Sequence, residues 1–252
     1  MDEFFEIRAS EIKQQAEAGM TTVGPDGLSP RELLNAISNS SRSLISEQYR
    51  IFNDVLLPEL SAKGIRILRR ADWTPAQAAW VRTYFLREVY PLLTPIGLDP
   101  SHPFPNVLNK ILNFVVVLDG KDAFARKSGT AVVQAPRLVP RLIRLPAEVA
   151  ESPHDFVLLS AVIHANIGDL FSGMEVKGCY QFRVTRNSDL WVEEEEVEDL
   201  LDAVRFELPR RHYGAAVRLE VAENCPPEIA RFLLDHFHLR DEDLYQVNGP
   251  VN

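Results

Sequence analysis

Side chains able to do chemistry are plentiful in this 252-residue sequence, but they do not assemble into a complete catalytic set. A nucleotide phosphate calls for a glycine-rich loop opening a helix, and neither GxxxxGK[ST] nor a GxGxxG after a strand is present. The Gly120-Lys121 pair lacks the upstream glycine spacing and a following Ser or Thr. None of the six histidines falls in HExxH or another zinc spacing. His236 and His238 are two apart on an expected helix and so face different ways. With Phe237 between them they read as surface and core positions rather than as a metal pair. His164, on a helix expected to begin near Ser160, reads as a hydrogen-bonded structural histidine, and Ser160 as that helix's N-cap rather than a nucleophile.

Charge gives two further leads. Glu193 to Glu196 could hold a cation, but four consecutive carboxylates fan around a helix start, where negative charge suits the macrodipole, and a solvated capping cluster is the favoured reading. Lys121, Arg126, Lys127, Arg137, Arg141 and Arg144 form the one clearly basic region. Planar guanidinium groups suit phosphate oxygens, although arginines among prolines are also ordinary surface residues. The formal net charge of −9 argues against a surface that grips a polyanion throughout, so no nucleic-acid partner is expected, yet it leaves room for a local basic groove. Cys179 and Cys225 lie far apart without a CxxC pair, which fits a reducing compartment. No apolar run approaches the ~20 residues of a membrane span, and the acidic, aromatic N-terminus is not a signal peptide, so a cytoplasmic location is expected. From the residues alone this is a binding or assembly module, not a self-sufficient enzyme.

The elements that must position these groups divide at a proline-rich stretch, Pro91 to Pro105, whose five prolines forbid a continuous helix or a central strand. Before it the apolar spacing is helical. Residues 2 to about 18 read as a helix with Phe4, Phe5, Ile7 and Ile12 on the apolar face and Arg8 and Lys13 beside it. Gly24-Pro-Asp-Gly27 marks a loop, and Ser29-Pro-Arg-Glu32 is a capping box. It opens a helix whose apolar pattern continues through Leu33, Leu34, Ile37, Leu44, Ile45, Phe52, Val55 and Leu56, about 40 Å long by Leu56 at 1.5 Å per residue. Pro58 should kink or end it, and Gly64 fits a left-handed stop. Ile65 to Arg70 reads as an extended link, and Thr74-Pro-Ala-Gln77 as a second capping box, opening a helix that buries Trp80, Val81, Tyr84, Phe85 and Val89.

After the junction, strands are expected over 112–118, 130–134, 142–145, 181–186, 190–192 and 217–221. Helices are expected from Ser160 with Val162, Ile163, Ile167 and Leu170 inward, from Glu193, and from Pro227 with Ile229, Phe232 and Leu233 inward. The fold class is therefore α+β and multidomain: an N-terminal helical bundle over 1–92, then an α+β head over 93–252. The uncapped apolar start and the Val247-Asn-Gly-Pro-Val-Asn252 end predict a piece of a longer chain, and the long helix predicts a further helical partner upstream or in a second subunit.

Asp2-Glu-Phe-Phe-Glu-Ile-Arg8, Leu93-Thr-Pro-Ile-Gly-Leu-Asp-Pro-Ser-His-Pro-Phe-Pro105, Asn109-Lys110 with Leu112-Asn113, Val176 to Asn187, Val217-Arg-Leu-Glu220 and Tyr245 to Asn252 together resemble the large bacterial polyphosphate kinase. The resemblance spans the whole chain and only part of that enzyme. It implies the N-terminal helical domain without its first helices, then the head domain, stopping where C-terminal domains related to phospholipase D would begin. For the parent enzyme it implies reversible transfer of the ATP γ-phosphate through a phosphohistidine to polyphosphate with Mg²⁺, assembly as a homodimer or higher homo-oligomer, and scope for peripheral membrane association. The family's catalytic histidines and its magnesium and phosphate ligands lie in the absent domains, so this portion alone is expected to be inactive and to bind no metal through its own residues. Arg8, Lys121, Arg137, Arg141 and Arg144 are the candidates for facing nucleotide or polyphosphate. The alternative is a free-standing binding or scaffold module.

Overall fold

The computed structural model describes residues 1–98, 104–120, 129–187 and 214–251. An N-terminal helical region is followed by a mixed α/β region, the expected fold class. The chain forms two compact units, Met1–Ser46 with Asn106–Ile111 and Phe182–Asn252, and Glu47–Pro105 with Leu112–Gln181.

In the first unit, helix α1 runs through Asp2–Phe4, a π turn at Phe5–Ala9, and Ser10–Glu17. Its buried positions are Phe5, Glu6, Ala9, Ser10 and Lys13, whereas Phe4 and Ile7 are exposed. The expected apolar face is thus corrected: only Phe5 of that set is buried. The π turn widens the helix locally, and the polar residues on the inward face all have partners. Ser10 Oγ donates to the Glu6 and Ile7 carbonyls, and Lys13 Nζ lies 2.7 Å from Asp243. Gly27 N–H closes the following turn onto the Gly24 carbonyl, with Gly27 at φ 78°.

Helix α2 spans Pro30–Ile51 and continues through a π turn at Phe52–Leu56 into Leu57–Ala62. Ser29 and Glu32 cap it reciprocally, as expected. Pro58 does not end it. The Leu57 N–H reaches the Phe52 carbonyl five residues back, and this wider turn takes in the proline that lacks its own donor. Gly64 stops the helix at φ 77°. Ile45 is buried, while Leu44, Val55 and Leu56 of the expected apolar pattern are exposed, as is Ile51.

The first unit's sheet comes from the end of β7 (Met174–Arg186), from β8 (Ala216–Ala222) and from β9 (Leu244–Val247). β8 pairs antiparallel with β7 and parallel with β9. Helix α5 (Pro227–His236) buries Ala230, Leu233 and Leu234, and leaves the expected inward residues Ile229 and Phe232 half-buried.

The second unit holds two sheet portions. β1 (Ile65–Leu68) pairs parallel with β6 (His154–Leu158), which pairs antiparallel with β5 (Leu142–Arg144). The expected link after Gly64 is therefore a strand. β2 (Pro95–Gly97) pairs antiparallel with β4 (Thr130–Gln134), and β4 with β3 (Asn113–Gly120), next to the start of β7. β2 occupies the edge, where a proline without a donor interrupts no ladder. Phe114, Val115 and Val116 are completely buried, each contributing about 1.5–3 kcal/mol by leaving water.

Helix α3 (Pro75–Tyr84, continuing as a π turn over Phe85–Val89) opens with the Thr74–Gln77 capping box and buries Val81, Phe85 and Val89. Trp80 and Tyr84 are half-buried and stack at 5.2 Å. Helix α4 (Leu159–Asn166) packs beside α3. Its N-cap is Leu158, with extended backbone, so Ser160 lies inside the first turn and is not the cap. The expected strand 190–192 and the helix from Glu193 lie outside the described residues.

Candidate functional site

A charged core in the first unit draws on segments far apart in sequence. On β7 and β8 the register sets Arg183 opposite Glu220 and Thr185 opposite Arg218. Phe182, Val184, Leu219 and Val221 fill the other face of the pair and are completely buried. The polar face is covered too. Arg183, Arg218 and Glu220 are buried, and Asp2 of α1 is half-buried against them.

Two guanidinium groups meet two carboxylates there. Arg183 Nη1 lies 2.7 Å and Arg218 Nη2 2.8 Å from Glu220, while Asp2 accepts from Arg218 Nη2 at 2.7 Å and from Arg183 Nη2. Arg218 Nε donates to Thr185 Oγ1 at 3.3 Å, and its guanidinium carbon stands 4.6 Å from the Phe5 ring centroid. Tyr245 packs edge-on against Phe5 at 5.7 Å, and burial pushes its phenol above the usual range. Burial works against the charge on Asp2, yet the hydrogen bonds and charges of Arg183 and Arg218 outweigh it and hold the carboxyl below its ordinary value.

A second polar layer adjoins this one. The Glu6 carboxylate accepts from Asn109 Nδ2 at 2.6 Å and lies 2.8 Å from Lys110 Nζ. Asn109 Oδ1 accepts the Arg186 N–H at 2.9 Å, and Arg186 donates through Nε to the Val107 carbonyl and through Nη1 to the Gly214 carbonyl. Lys110 adopts φ 58°, and its N–H donates to the Val184 carbonyl at 2.9 Å. Segments 2–10, 106–110, 182–187, 214–220 and 244–245 thus meet in one polar core.

These residues neutralise one another, and their chemistry is to fix α1 on the strands. Asp2 and Glu220 are taken up by arginine, and among the described residues no three His, Cys, Asp or Glu side chains converge as a metal ion needs. Sequence reasoning passed over Asp2, Arg183, Arg218 and Glu220. The available signal was Arg-x-Glu on a strand whose partner carries Arg-x-Thr, a pattern that usually marks a solvated face.

The sequence candidates fall elsewhere. Arg8, on α1 in the first unit, is exposed and stands 3.7 Å from Glu11. Arg137 and Arg141 are exposed on the turn before β5 in the second unit, and Arg144 is exposed on β5 itself. Arg144 Nη2 donates to the Pro153 carbonyl at 3.0 Å and borders a cleft of about 680 Å³ lined also by Trp80, Leu145, Pro146, Ala150 and Pro153. Lys121, Arg126, Lys127 and the Glu193–Glu196 run lie outside the described residues.

His164 is hydrogen-bonded on both nitrogens, as expected. Nδ1 accepts from Arg70 Nη1 at 2.8 Å and Nε2 donates to the Cys179 carbonyl at 3.1 Å. Burial, with the Arg70 charge beside it, lowers its pKa. His236 and His238 are exposed and Phe237 is buried between them.

The sequence matches the polyphosphate kinase N-terminal domain over residues 1–68 and the polyphosphate kinase middle domain over residues 76–252. Its relatives include a polyphosphate kinase of Pseudomonas putida, 54% identical over the whole chain, which covers 35% of that relative. Another, from Neisseria gonorrhoeae, is 53% identical over the whole chain, which covers 37% of it. In structure the chain resembles a crystal structure of polyphosphate kinase from Porphyromonas gingivalis with a TM-score of 0.75 and 24% identity, over 99% of this chain and 33% of that one. The chain spans about a third of the length of the relatives it matches, and over that span it belongs to the polyphosphate kinase family.

Proposed function

We propose that this chain serves as the N-terminal and middle portion of an enzyme that transfers the γ-phosphate of ATP, through a phosphohistidine, onto inorganic polyphosphate with Mg²⁺. The observation that carries this reading is the match of both domain models in order along the chain, with relatives of that name about three times as long. The portion's own role is architectural: it builds part of the assembly surface of a homo-oligomer and shapes the path of the substrates. The self-neutralised core of Asp2, Arg183, Arg218 and Glu220 supports a scaffold role, since its charges face each other rather than a ligand. Arg8, Arg137, Arg141, Arg144 and Lys121 supply the cations that would face nucleotide or polyphosphate.

His164 does not fit the phosphorylated residue. Its Nε2 is held by a carbonyl and its Nδ1 by a guanidinium, which leaves no free lone pair to attack phosphorus. The test is ATP-dependent polyphosphate synthesis by this chain alone and by this chain mixed with the remaining two thirds of a relative. The chain alone should make none and the mixture should make some. Synthesis by the chain alone would overturn the reading. Titration with Mg-ATP and with polyphosphate at low and moderate salt then checks the cations. Polyphosphate binding that weakens steeply with salt would assign them to the substrate path, and no heat would leave the portion with architecture alone.

A further inference from the structure

Among the described residues strand β5 has an open edge. It pairs only with β6 among the described residues, and the ladder fixes which of its backbone groups are used. Leu159 N–H donates to the Arg141 carbonyl at 2.9 Å, and Leu145 N–H to the Asp155 carbonyl at 2.8 Å. In an antiparallel pair hydrogen-bonded residues alternate, so Arg141, Ile143 and Leu145 direct their N–H and C=O groups at β6. Leu142 and Arg144 direct theirs the other way, which leaves two donors and two acceptors in line along the free edge.

The side chains on this edge share a character. Leu142 and Arg144 lie on one exposed face of β5 and Ile143 on the buried one. Leu138, on the turn before it, is 85% exposed. From Ala135 to Ala147 the sequence carries three arginines and no carboxylate, in a chain whose formal net charge is −9. Arg144 and Leu145, where β5 ends, also line the cleft of about 680 Å³ with Trp80, Pro146, Pro153 and Glu151, whose carboxylate lies 3.4 Å from Arg66. That volume exceeds any one side chain and is in the range of ligand clefts, roughly 300–1,000 Å³.

We propose that the β5 edge and this cleft receive an extended, acidic polypeptide segment of a partner protein as an added strand. Its backbone completes the ladder at Leu142 and Arg144. An apolar side chain packs beside Leu142, a carboxylate two residues on meets Arg144, and the segment's end enters the cleft against Trp80. Strand addition accounts for the outward backbone groups and the exposed leucines together. A simple polyanion such as polyphosphate would use the guanidinium groups but neither the leucines nor the backbone acceptors. β5 is short and flanked by Pro140 and Pro146, which limits the added strand to the two outward residues Leu142 and Arg144.

The probe is a fluorescein-labelled octapeptide, Thr-Val-Thr-Glu-Thr-Val-Thr-Glu, whose extended form places Val and Glu alternately on one face. Anisotropy should report saturable binding to this chain. Leu142→Pro removes one outward donor without touching the β5–β6 ladder and should weaken binding at least tenfold, with Arg144→Gln weakening it several-fold. In case Leu142→Pro disturbs folding, the unaltered chain is tested with peptides N-methylated on one or the other alternate set of amides. One set should abolish binding and the other should leave it intact. Equal binding of both methylated peptides, equal binding to a folded Leu142→Pro chain, or no binding of the unmethylated peptide would overturn the proposal. Either of the first two results would reduce the edge to a cluster of arginines that collects anions.

Discussion

Arg183 on β7 and Glu220 on β8 are direct cross-strand partners, with Nη1 2.7 Å from the carboxylate, and both side chains are buried. Glu220 also accepts from Arg218, and both arginines reach Asp2 on α1. The sheet's polar face is therefore closed by a helix through four charges that sum to zero. Removing one partner from a buried ion pair costs about 3–5 kcal/mol, because the charge left behind keeps its desolvation penalty. Glu220→Ala leaves two arginines sharing only Asp2 and should destabilise the chain by about 3 kcal/mol or more. Urea denaturation measures this, and the triple change Glu220→Leu, Arg183→Met, Arg218→Met should recover part of the loss.

Arg66 and Asp155 form a second pair, on β1 and β6, with Asp155 buried and Arg66 half-buried. Arg66 Nε and Nη2 lie 2.7 and 2.6 Å from the two carboxylate oxygens, and the Glu151 and Ser152 N–H groups also donate to Asp155. The Arg66 hydrogen bonds, against the opposing effect of burial, hold this carboxyl below its ordinary 3.8. The unfolded chain therefore binds the proton first, so this contribution is full above about pH 5 and is lost as pH falls through 3.8 and then through the lower folded value. Stability measured between pH 6 and pH 3 should fall less steeply in Asp155→Asn, which starts from a lower plateau at pH 6.

His164 works at milder pH. Its Nδ1 accepts from the Arg70 guanidinium, and a proton there would set two cations against each other. Burial, then the Arg70 charge, places its pKa below the ordinary 6.5. Its contribution is present above pH 6.5 and is lost as pH falls through the lower folded value. Thermal unfolding between pH 7.5 and 5.5 should show this slope, and His164→Gln should flatten it.

Much of the fold was legible because periodicity and caps are local. Ser29 with Glu32, Thr74 with Gln77, the strand from Thr130 to Gln134 and the left-handed Gly64 all stand where the sequence places them. What was not legible is tertiary. Asp2, Glu6 and Lys13 look like the solvent side of an amphipathic helix, and Arg218 and Glu220 like the wet face of an edge strand. Asp2, Glu6, Lys13 and Arg218 are satisfied by partners more than a hundred residues away, and Glu220 by Arg218 and by Arg183 on the neighbouring strand, and no window along the chain reports that. Pro58 misled for a related reason: it reads as a stop, but a π turn absorbs it.

Cys179 and Cys225 are both buried, and burial pushes each thiol up to about 12. The thiolate is the reacting species, so at pH 8 neither should exist as a nucleophile in the folded chain. Titration with Ellman's reagent at pH 8 should find no fast-reacting thiol in buffer and both in concentrated urea. A fast thiol in buffer would place one of these cysteines at the surface.

Lys110 occupies the left-handed region at φ 58° within the Asn109-Lys110 turn. A non-glycine residue there bears about 1–2 kcal/mol of strain. Two contacts set against it hold the conformation: its N–H donates to the Val184 carbonyl, and its ammonium lies 2.8 Å from Glu6. The side chain is 39% exposed, so the ion pair adds little and the backbone bond carries the position. Lys110→Gly should therefore come out near neutral, with strain relief offsetting the lost ion pair and the freer unfolded chain. Lys110→Val, whose branched side chain fits φ > 0 badly, should destabilise by about 1–2 kcal/mol beyond the glycine variant. If urea denaturation instead finds Lys110→Gly as damaging as Lys110→Val, the ion pair to Glu6 rather than the turn holds this corner of the polar core.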